Sequence, residues 1–373
     1  MMRKQKQTAN TGLKRSLWLK LMSSLMSALI FLLLIEIAAA IVNKARIIVS
    51  ERSDKNLSFV YDYDLLFYNE PLRTVHNKFH DRPVRCATNS YGFRADAEIP
   101  DNRPDGEYRI LCVGDSSTFG YTGDQAHTYP AQLQSILNAR NNGGRSYYVI
   151  NGGCAGFTSF QASRFMERWV PRLKPDLIVY SIGYNDSTLA PIADKDADYH
   201  KDAMAWLRGA FCSSNTYSLI NRIVVLNIKL AGKHKAEQPT CIRVSLLDYE
   251  SNLKRSVQIA RDNDVAIIFC PITVVPPYMD VMSKVAKEYS VPVVQTEDSL
   301  WRAFLAIYDG ATEYHGVQLD YLGEINTSFL SYGEVGELRS ALMRTKSYVF
   351  DDSIHPNPIG YRAIAEDLAA VIP

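Results

Sequence analysis

The stretch ILCVGDSSTFG, residues 110–120, sets an apolar run against an abrupt polar turn. Ile110, Leu111, Cys112 and Val113 have the pattern of a short strand buried on both faces, as in the middle of a parallel sheet. The run stops at Gly114 and presents Asp115 and Ser116 ahead of a helical pattern. Two readings fit: a mount for a nucleophilic serine, or an ordinary strand-to-helix turn, because Asp and Ser are common helix N-caps.

Outward from this strand the pattern alternates. RILCVG (109–114) precedes a helix expected at YPAQLQSILNAR (129–140), and YYVIN (147–151) precedes one at SFQASRFMERWV (159–170). DLIVYSIG (176–183) is a third strand. After a less regular region, LLDYESNLKRSVQIARDN (246–263) has helical spacing, with Leu246, Tyr249, Leu253, Val257 and Ala260 on one face. VAIIFCP (265–271) is a fourth strand, residues 278–289 give a helix, VPVVQT (291–296) is a weaker fifth strand, and GYRAIAEDLAAVI (360–372) closes the chain as an amphipathic helix. Strands separated by helices predict an α/β fold, a three-layer α/β/α sandwich around a five-stranded parallel sheet. Two stretches, at about 187–245 and 308–350, interrupt the alternation and have the length of functional caps or inserted subdomains. Residues 44–107 form a lead-in rich in aromatic and charged residues, where TNSYGFR (88–94) has turn chemistry. The main domain then covers 108–373.

Ligands of such sheets bind beyond the carboxyl ends of the strands. Four polar signatures fall there or at the final helix: GDSSTFG (114–120), NGGCAG (151–156), GYND (183–186) and DDSIHPNPIG (351–360). In this order the set resembles the SGNH, or GDSL-type, hydrolase superfamily: a Ser block, N-x-G-x-x-G, G-x-N-D and D-x-x-H-P-N. The resemblance covers roughly residues 88–372. It implies a flavodoxin-like strand order, 2-1-3-4-5, and a serine esterase. Ser116 would be the nucleophile, His355 its base and later the acid for the leaving alcohol, and Asp352 the carboxylate that fixes the imidazole tautomer. The oxyanion would be held by the backbone N–H groups of Ser116 and Gly153 and by the Asn185 carboxamide. A glycine at 153 would let substrate approach the backbone closely. The triad supplies both nucleophile and base, so no cofactor and no metal are expected.

Other readings of the same residues fit less well. Ser117 does not follow Gly-Asp directly. Asp351 competes with Asp352, but the D-x-x-H spacing favours Asp352. Asp115 and Asp186 fit loop-holding hydrogen bonds better than acid–base work. Cys154 sits beside the oxyanion glycine, but no second His follows at a suitable strand end, which makes it a packing residue. NGGCAG is not a dinucleotide fingerprint, since Asn holds the first glycine position and no acid ends the next strand. His76 and His80 have i, i+4 spacing, yet no third metal ligand accompanies them.

At the other end of the chain, residues 1–20 hold six Lys or Arg and no acid, a basic tail. LMSSLMSALIFLLLIEIAAAIV (21–42) follows, with Glu36 as its only charge. About a dozen Leu, Ile, Phe and Val residues contribute roughly −0.3 to −0.6 kcal/mol each on the insertion scale. A central carboxylate costs about +3 kcal/mol, and Glu36 is off-centre, so insertion wins. The segment 21–43 is therefore expected to be a transmembrane anchor, with its N-terminus in the cytoplasm and the main domain outside. Ala38-Ala39-Ala40 keeps a cleaved signal and a secreted product open as the alternative.

Charges nearly cancel, at a formal net +1, which excludes generic polyanion binding and leaves no nucleic-acid partner. The chain has six cysteines at irregular spacing and no C-x-x-C, which argues against a zinc site or disulfide framework. Cys212 and Cys241 flank a segment within the first insertion, and pairing between them stays open. The resemblance, together with the N-terminal apolar segment and the long lead-in, implies as substrate an ester-linked acyl group, acetyl first, on an extracytoplasmic carbohydrate. An O-acetyltransferase, a lipase or thioesterase, and a non-catalytic scaffold of a glycan-export assembly are the rivals.

Overall fold

The computed structural model describes residues 2–50, 59–62, 64–79, 82–100, 102–140, 144–197, 214–216, 219, 240–308, 313–318 and 354–373. The chain divides into two compact units, one of residues 1–52 with 204–235, the other of residues 53–203 with 236–373.

In the first unit, helix α1 (Met2–Ser50) contains an apolar stretch, Trp18–Val42, long enough to cross a membrane.

The second unit begins with two antiparallel hairpins: β1 (Phe59–Asp62) with β2 (Leu66–Asn69), and β3 (Thr74–Phe79) with β4 (Arg82–Ala87). The TNSYGFR turn closes as a bridge between Thr88 and Arg94, with Gly92 at φ +78°. A side chain at Gly92 would meet both a strained φ and the Asn69 carbonyl 2.7 Å away.

Next comes β5 (Glu107–Gly114), followed by the one-turn helix α2 (Ser116–Phe119) and α3 (Tyr129–Ala139). After them run β6 (Ser146–Asn151), α4 (Ser159–Leu173) and β7 (Leu177–Ser181). The short strands β8 (Leu189–Ala190) and β9 (Cys241–Ile242) pair antiparallel at the two ends of the first insertion. The chain continues through α5 (Leu246–Asp262), β10 (Ala266–Phe269), α6 (Pro276–Tyr289) and α7 (Glu297–Tyr308). A two-residue hairpin of β11 (Glu313–Tyr314) and β12 (Val317–Gln318) precedes the closing helix α8 (Pro358–Val371).

The strands β6, β5, β7 and β10 form a parallel sheet in the order β10-β7-β5-β6. VPVVQT adds a single parallel bridge, Phe269 to Val293, at the β10 edge. The expected fifth strand is therefore reduced to one bridge, because Pro292 at its start has no N–H to extend a ladder. The order is otherwise that of the flavodoxin-like sheet.

Alternation along β5 sends Leu111 and Val113 to one face and Ile110 and Cys112 to the other, all fully buried. The first face is covered by α4, α5 and α6, through Met166, Val170, Leu253, Val257 and Met282. The second is covered by α3 and α8, through Leu133, Leu137, Ile364 and Leu368. Each fully buried aliphatic side chain stabilises the fold by about 1.5–3 kcal/mol relative to exposure. Helix α4 starts at a capping box, Thr158 with Gln161, and runs through Pro171 in its last turn.

The lead-in hairpins are fixed to this core. Arg168 on α4 forks onto Asp62 at 2.7 and 2.8 Å and onto Asp64 at 2.6 Å. Phe67 meets Phe157 edge-on, with ring centroids 5.9 Å apart. Sequence periodicity did not show α7, whose apolar positions Ala303 and Phe304 pack with Ile359 and Ala363 of α8 in a separate small cluster.

Candidate active site

At the end of β5, a Cβ on Gly114 would lie 1.8 Å from Thr118 Oγ1, so only glycine allows the chain to turn this tightly into α2. Asp115 caps the helix, its carboxylate accepting the Ser117 N–H at 2.9 Å. Ser116 is the first helical residue, where a backbone N–H has no partner within the helix. Its side chain is half-buried.

His355, far along the chain, reaches this point: its Nε2 stands 2.8 Å from Ser116 Oγ. The loop carrying the imidazole is pinned on its C-terminal side. Thr122 Oγ1 donates to the Pro356 carbonyl at 2.8 Å, and Asn357 caps α8 by accepting the Ile359 and Gly360 N–H groups at 2.9 and 3.0 Å. The Tyr121 ring lies 5.7 Å from the imidazole, centroid to centroid. Asp352, with its competitor Asp351, lies outside the described residues.

Gly153 follows β6, where the Cys154 N–H donates to the Gly114 carbonyl at 3.0 Å and joins the two strand ends. A Cβ on Gly153 would sit 2.2 Å from the Phe119 nitrogen. The glycine is thus required for packing on α2. Its N–H donates to Asn151 Oδ1 at 3.1 Å. Asn185 opens the short turn after β7, and its Nδ2 donates to the Phe157 carbonyl at 3.1 Å and to Asp115 Oδ2 at 3.3 Å. The structure therefore gathers Ser116, His355, Gly153 and Asn185 at the carboxyl end of the sheet.

Two buried carboxylates frame the group. Burial pushes Asp115 up to about 6, against the opposing pull of the Ser117 hydrogen bonds and the His355 charge. Burial likewise pushes Asp186 up to about 7, although Ser159 donates to it through N–H at 3.0 Å and Oγ at 2.5 Å and Arg243 adds a favourable charge. Behind Asp186, Asp194 pairs with Arg243 at 2.9 Å and accepts Thr158 Oγ1 at 2.7 Å. Cys154 is 2 % exposed, and burial drives its thiol well above the usual range, which removes it as a nucleophile.

His76 lies on strand β3 opposite Arg85, not on a helix, and His80 lies outside the described residues. No group of three or more His, Cys, Asp or Glu with metal-holding geometry occurs among the described residues. Cys241 is a free thiol whose Sγ donates to the Ala190 carbonyl at 3.3 Å, and Cys212 lies outside the described residues.

Two lead-in residues reach the site that sequence reasoning did not single out. Arg94 is buried and donates from Nη1 to the Phe119 and Gly120 carbonyls, from Nη2 to the Gly123 carbonyl at 2.6 Å and from Nε to Gln125 at 3.0 Å. It holds the chain that leaves the Ser116 helix. Asn69 Nδ2 donates to the Gly153 carbonyl at 2.9 Å and to the Gly92 carbonyl at 3.1 Å. The signal for Arg94 was its place after a turn; nothing local marked Asn69.

A sequence profile of the GDSL-like lipase/acylhydrolase family matches residues 112–363, from within β5 to within α8. The chain belongs to this family. All four gathered residues fall inside the matched region, while Asn69 and Arg94 lie ahead of it.

An acetylxylan esterase of Xylanibacter ruminicola is 24% identical over 304 residues, covering 79% of this chain and 48% of that protein. The chain thus spans about half the length of the curated relative it matches. Among solved structures, a lipase/acylhydrolase from Enterococcus faecalis aligns at 14% identity and TM-score 0.40, over 70% of this chain and 94% of its own. A psychrotrophic esterase from Pseudoalteromonas sp. aligns at 14% identity and TM-score 0.37, over 70% of this chain and 93% of its own.

Proposed function

We propose that the chain is a membrane-anchored serine esterase that removes acyl groups, acetyl first, from an extracytoplasmic carbohydrate. The observation that carries the reading is the 2.8 Å approach of His355 Nε2 to Ser116 Oγ, a nucleophile within reach of its base. Ser116 Oγ attacks the ester carbonyl carbon while His355 Nε2 takes the hydroxyl proton. Asp352 stabilises the resulting imidazolium. The tetrahedral intermediate places its negative oxygen among the Ser116 N–H, the Gly153 N–H and Asn185 Nδ2. His355 then protonates the departing sugar oxygen, leaving an acyl-enzyme, and a water activated by the same imidazole releases the acid.

The Gly153 N–H and Asn185 Nδ2 donate to internal acceptors. The longest of these contacts, Asn185 Nδ2 to Asp115 at 3.3 Å, is the one a substrate oxygen most easily replaces. The acetylxylan esterase relative supports an acetyl–carbohydrate substrate. The apolar stretch of α1 and the basic residues ahead of it support a retained anchor with the main domain outside.

The test uses the full-length protein in detergent. A fluorophosphonate should add to one residue, and peptide mass spectrometry should place the adduct on Ser116. Acetylated xylo-oligosaccharides should lose acetate faster than longer-chain esters. An adduct elsewhere overturns the catalytic assignment, and acetate that moves only onto an added sugar hydroxyl replaces hydrolysis by transfer.

A further inference from the structure

Helix α2 is a single turn, closed by the Phe119 N–H donating to the Asp115 carbonyl at 2.8 Å and the Gly120 N–H donating to the Ser116 carbonyl at 2.9 Å. A helix this short has no stability of its own, so its surroundings decide where Ser116 stands. The lead-in supplies much of those surroundings. The Phe119 ring is fully buried in a small cluster with Val84 and Cys86 of β4, and the Arg94 guanidinium lies 4.9 Å from the ring centroid.

Arg94 is itself buried, and its side-chain donors go to oxygens around the end of this helix. Nη1 is shared between the Phe119 carbonyl, at 2.8 Å, and the Gly120 carbonyl. Nη2 reaches the Gly123 carbonyl at 2.6 Å and the Arg85 carbonyl at 3.4 Å, and Nε reaches the Gln125 side chain at 3.0 Å. A buried guanidinium is costly to desolvate, and these acceptors offset the cost only while the chain stays wrapped around it. Gly120 ties the fork to the nucleophile, accepting from Arg94 at its carbonyl and donating to Ser116 through its N–H.

The backbone of Arg94 reaches the second loop of the site. Its N–H donates to the Asn151 carbonyl at 3.2 Å. Asn151 in turn accepts the Gly153 N–H at 3.1 Å and donates from Nδ2 to the same Phe119 carbonyl at 3.4 Å. One lead-in residue thus joins the Ser116 helix to the Gly153 loop, from a position ahead of the region 112–363 that the family profile matches.

We propose that Arg94 is a positioning residue for ester cleavage, holding the Ser116 helix and the Gly153 loop in the register that aims their backbone N–H groups at one substrate oxygen. The inference rests on the serine-esterase reading. It makes the lead-in part of the working enzyme instead of a spacer between anchor and catalytic domain. Lysine is no substitute here: a guanidinium presents five donors in a rigid fork, whereas an ammonium presents three from one point.

The test uses the full chain in detergent, with a fluorophosphonate as probe and an aryl acetate as substrate. The fraction of chains labelled at completion counts folded sites, and the rate constant of labelling reports the alignment within them. Arg94→Lys is expected to lower that rate constant and kcat about 10²-fold, the scale of an ångström-sized misplacement, with KM within about twofold and the labelled fraction unchanged. Gln125→Ala removes only the Nε acceptor and should lower both about threefold, and it carries the test where Arg94→Lys does not fold. Arg168→Gln, which frees the first hairpin from α4, should lower the urea midpoint and leave the rate constant unchanged. No adduct on Ser116 of the unaltered chain defeats the esterase reading itself. With that adduct present, an unchanged rate constant in Arg94→Lys, or in Gln125→Ala where Arg94→Lys does not fold, overturns the positioning role. An equal fall in Arg168→Gln also overturns it, since the effect would then be a general loosening of the lead-in.

Discussion

The ends of β5 and β7 carry similar pairs in opposite order. After β5 a buried aspartate, Asp115, comes first and the half-buried Ser116 second; after β7 the half-buried Asn185 comes first and the buried Asp186 second. In each pair one residue is partly open to solvent and the other, buried, holds its loop. The two aspartates hold differently. Asp115 stays within the site, bonded to the Ser117 N–H and facing Asn185. Asp186 turns away and fastens β7 to the start of α4 through Ser159. The difference teaches that the first carboxylate contacts a residue of the candidate site, Asn185 at 3.3 Å, whereas the second is taken up by the start of α4.

Changes to the open members should alter turnover, and changes to the buried members should alter stability. The largest effect is expected for Ser116→Ala, a loss of about 10⁴-fold or more in kcat on an aryl acetate. The thermal midpoint should be unchanged; retained turnover would end the assignment. Asn185→Ala should lower kcat about 10²–10³-fold with little change in KM, since its hydrogen bond strengthens only as charge develops on the substrate oxygen. A change confined to KM would make it a ground-state binding residue.

Asp186→Ala should lower stability by about 1–3 kcal/mol in urea titration, because the buried Ser159 donors lose their acceptor. An unchanged urea midpoint together with a collapsed kcat would break the comparison. The smallest expected effect is a pH slope. Both aspartates have folded-state values above 3.8, at about 6 and about 7, so the folded state binds protons more tightly than the unfolded chain. Their contribution to stability is therefore fully present below about 3.8 and is lost as pH rises through 6 and then 7. Asp186→Asn should flatten the upper part of that slope, and Asp115→Asn the lower, in melting curves taken from pH 4 to 8. A slope unchanged in both variants would mean that neither group titrates in this window.

The core of the second unit could be read from the sequence because each of its elements repeats a local signal. Strands β5 and β7 are short apolar runs, α5 and α6 keep one apolar face, and four motif blocks stand where a parallel sheet collects its loops. The fifth strand was over-read, since its apolar residues persist while Pro292 limits the ladder. The lead-in was under-read for the opposite reason. Asn69 and Arg94 act through single side chains that cross more than twenty residues of sequence to reach carbonyls in other loops, and such contacts leave no period. For Gly153 the position is readable in the sequence, but its packing against α2 is not, since the nearest obstacle is the backbone of a helix that precedes it by more than thirty residues.

The 2.2 Å clearance at Gly153 has a consequence for how such an enzyme can diversify. No larger residue fits against the helix bearing Ser116 without moving the serine itself, so this wall of the site is closed to mutational drift. Any change that makes more room near this turn must therefore fall in the surrounding loops, with the contact between residue 153 and the Phe119 backbone left as it is.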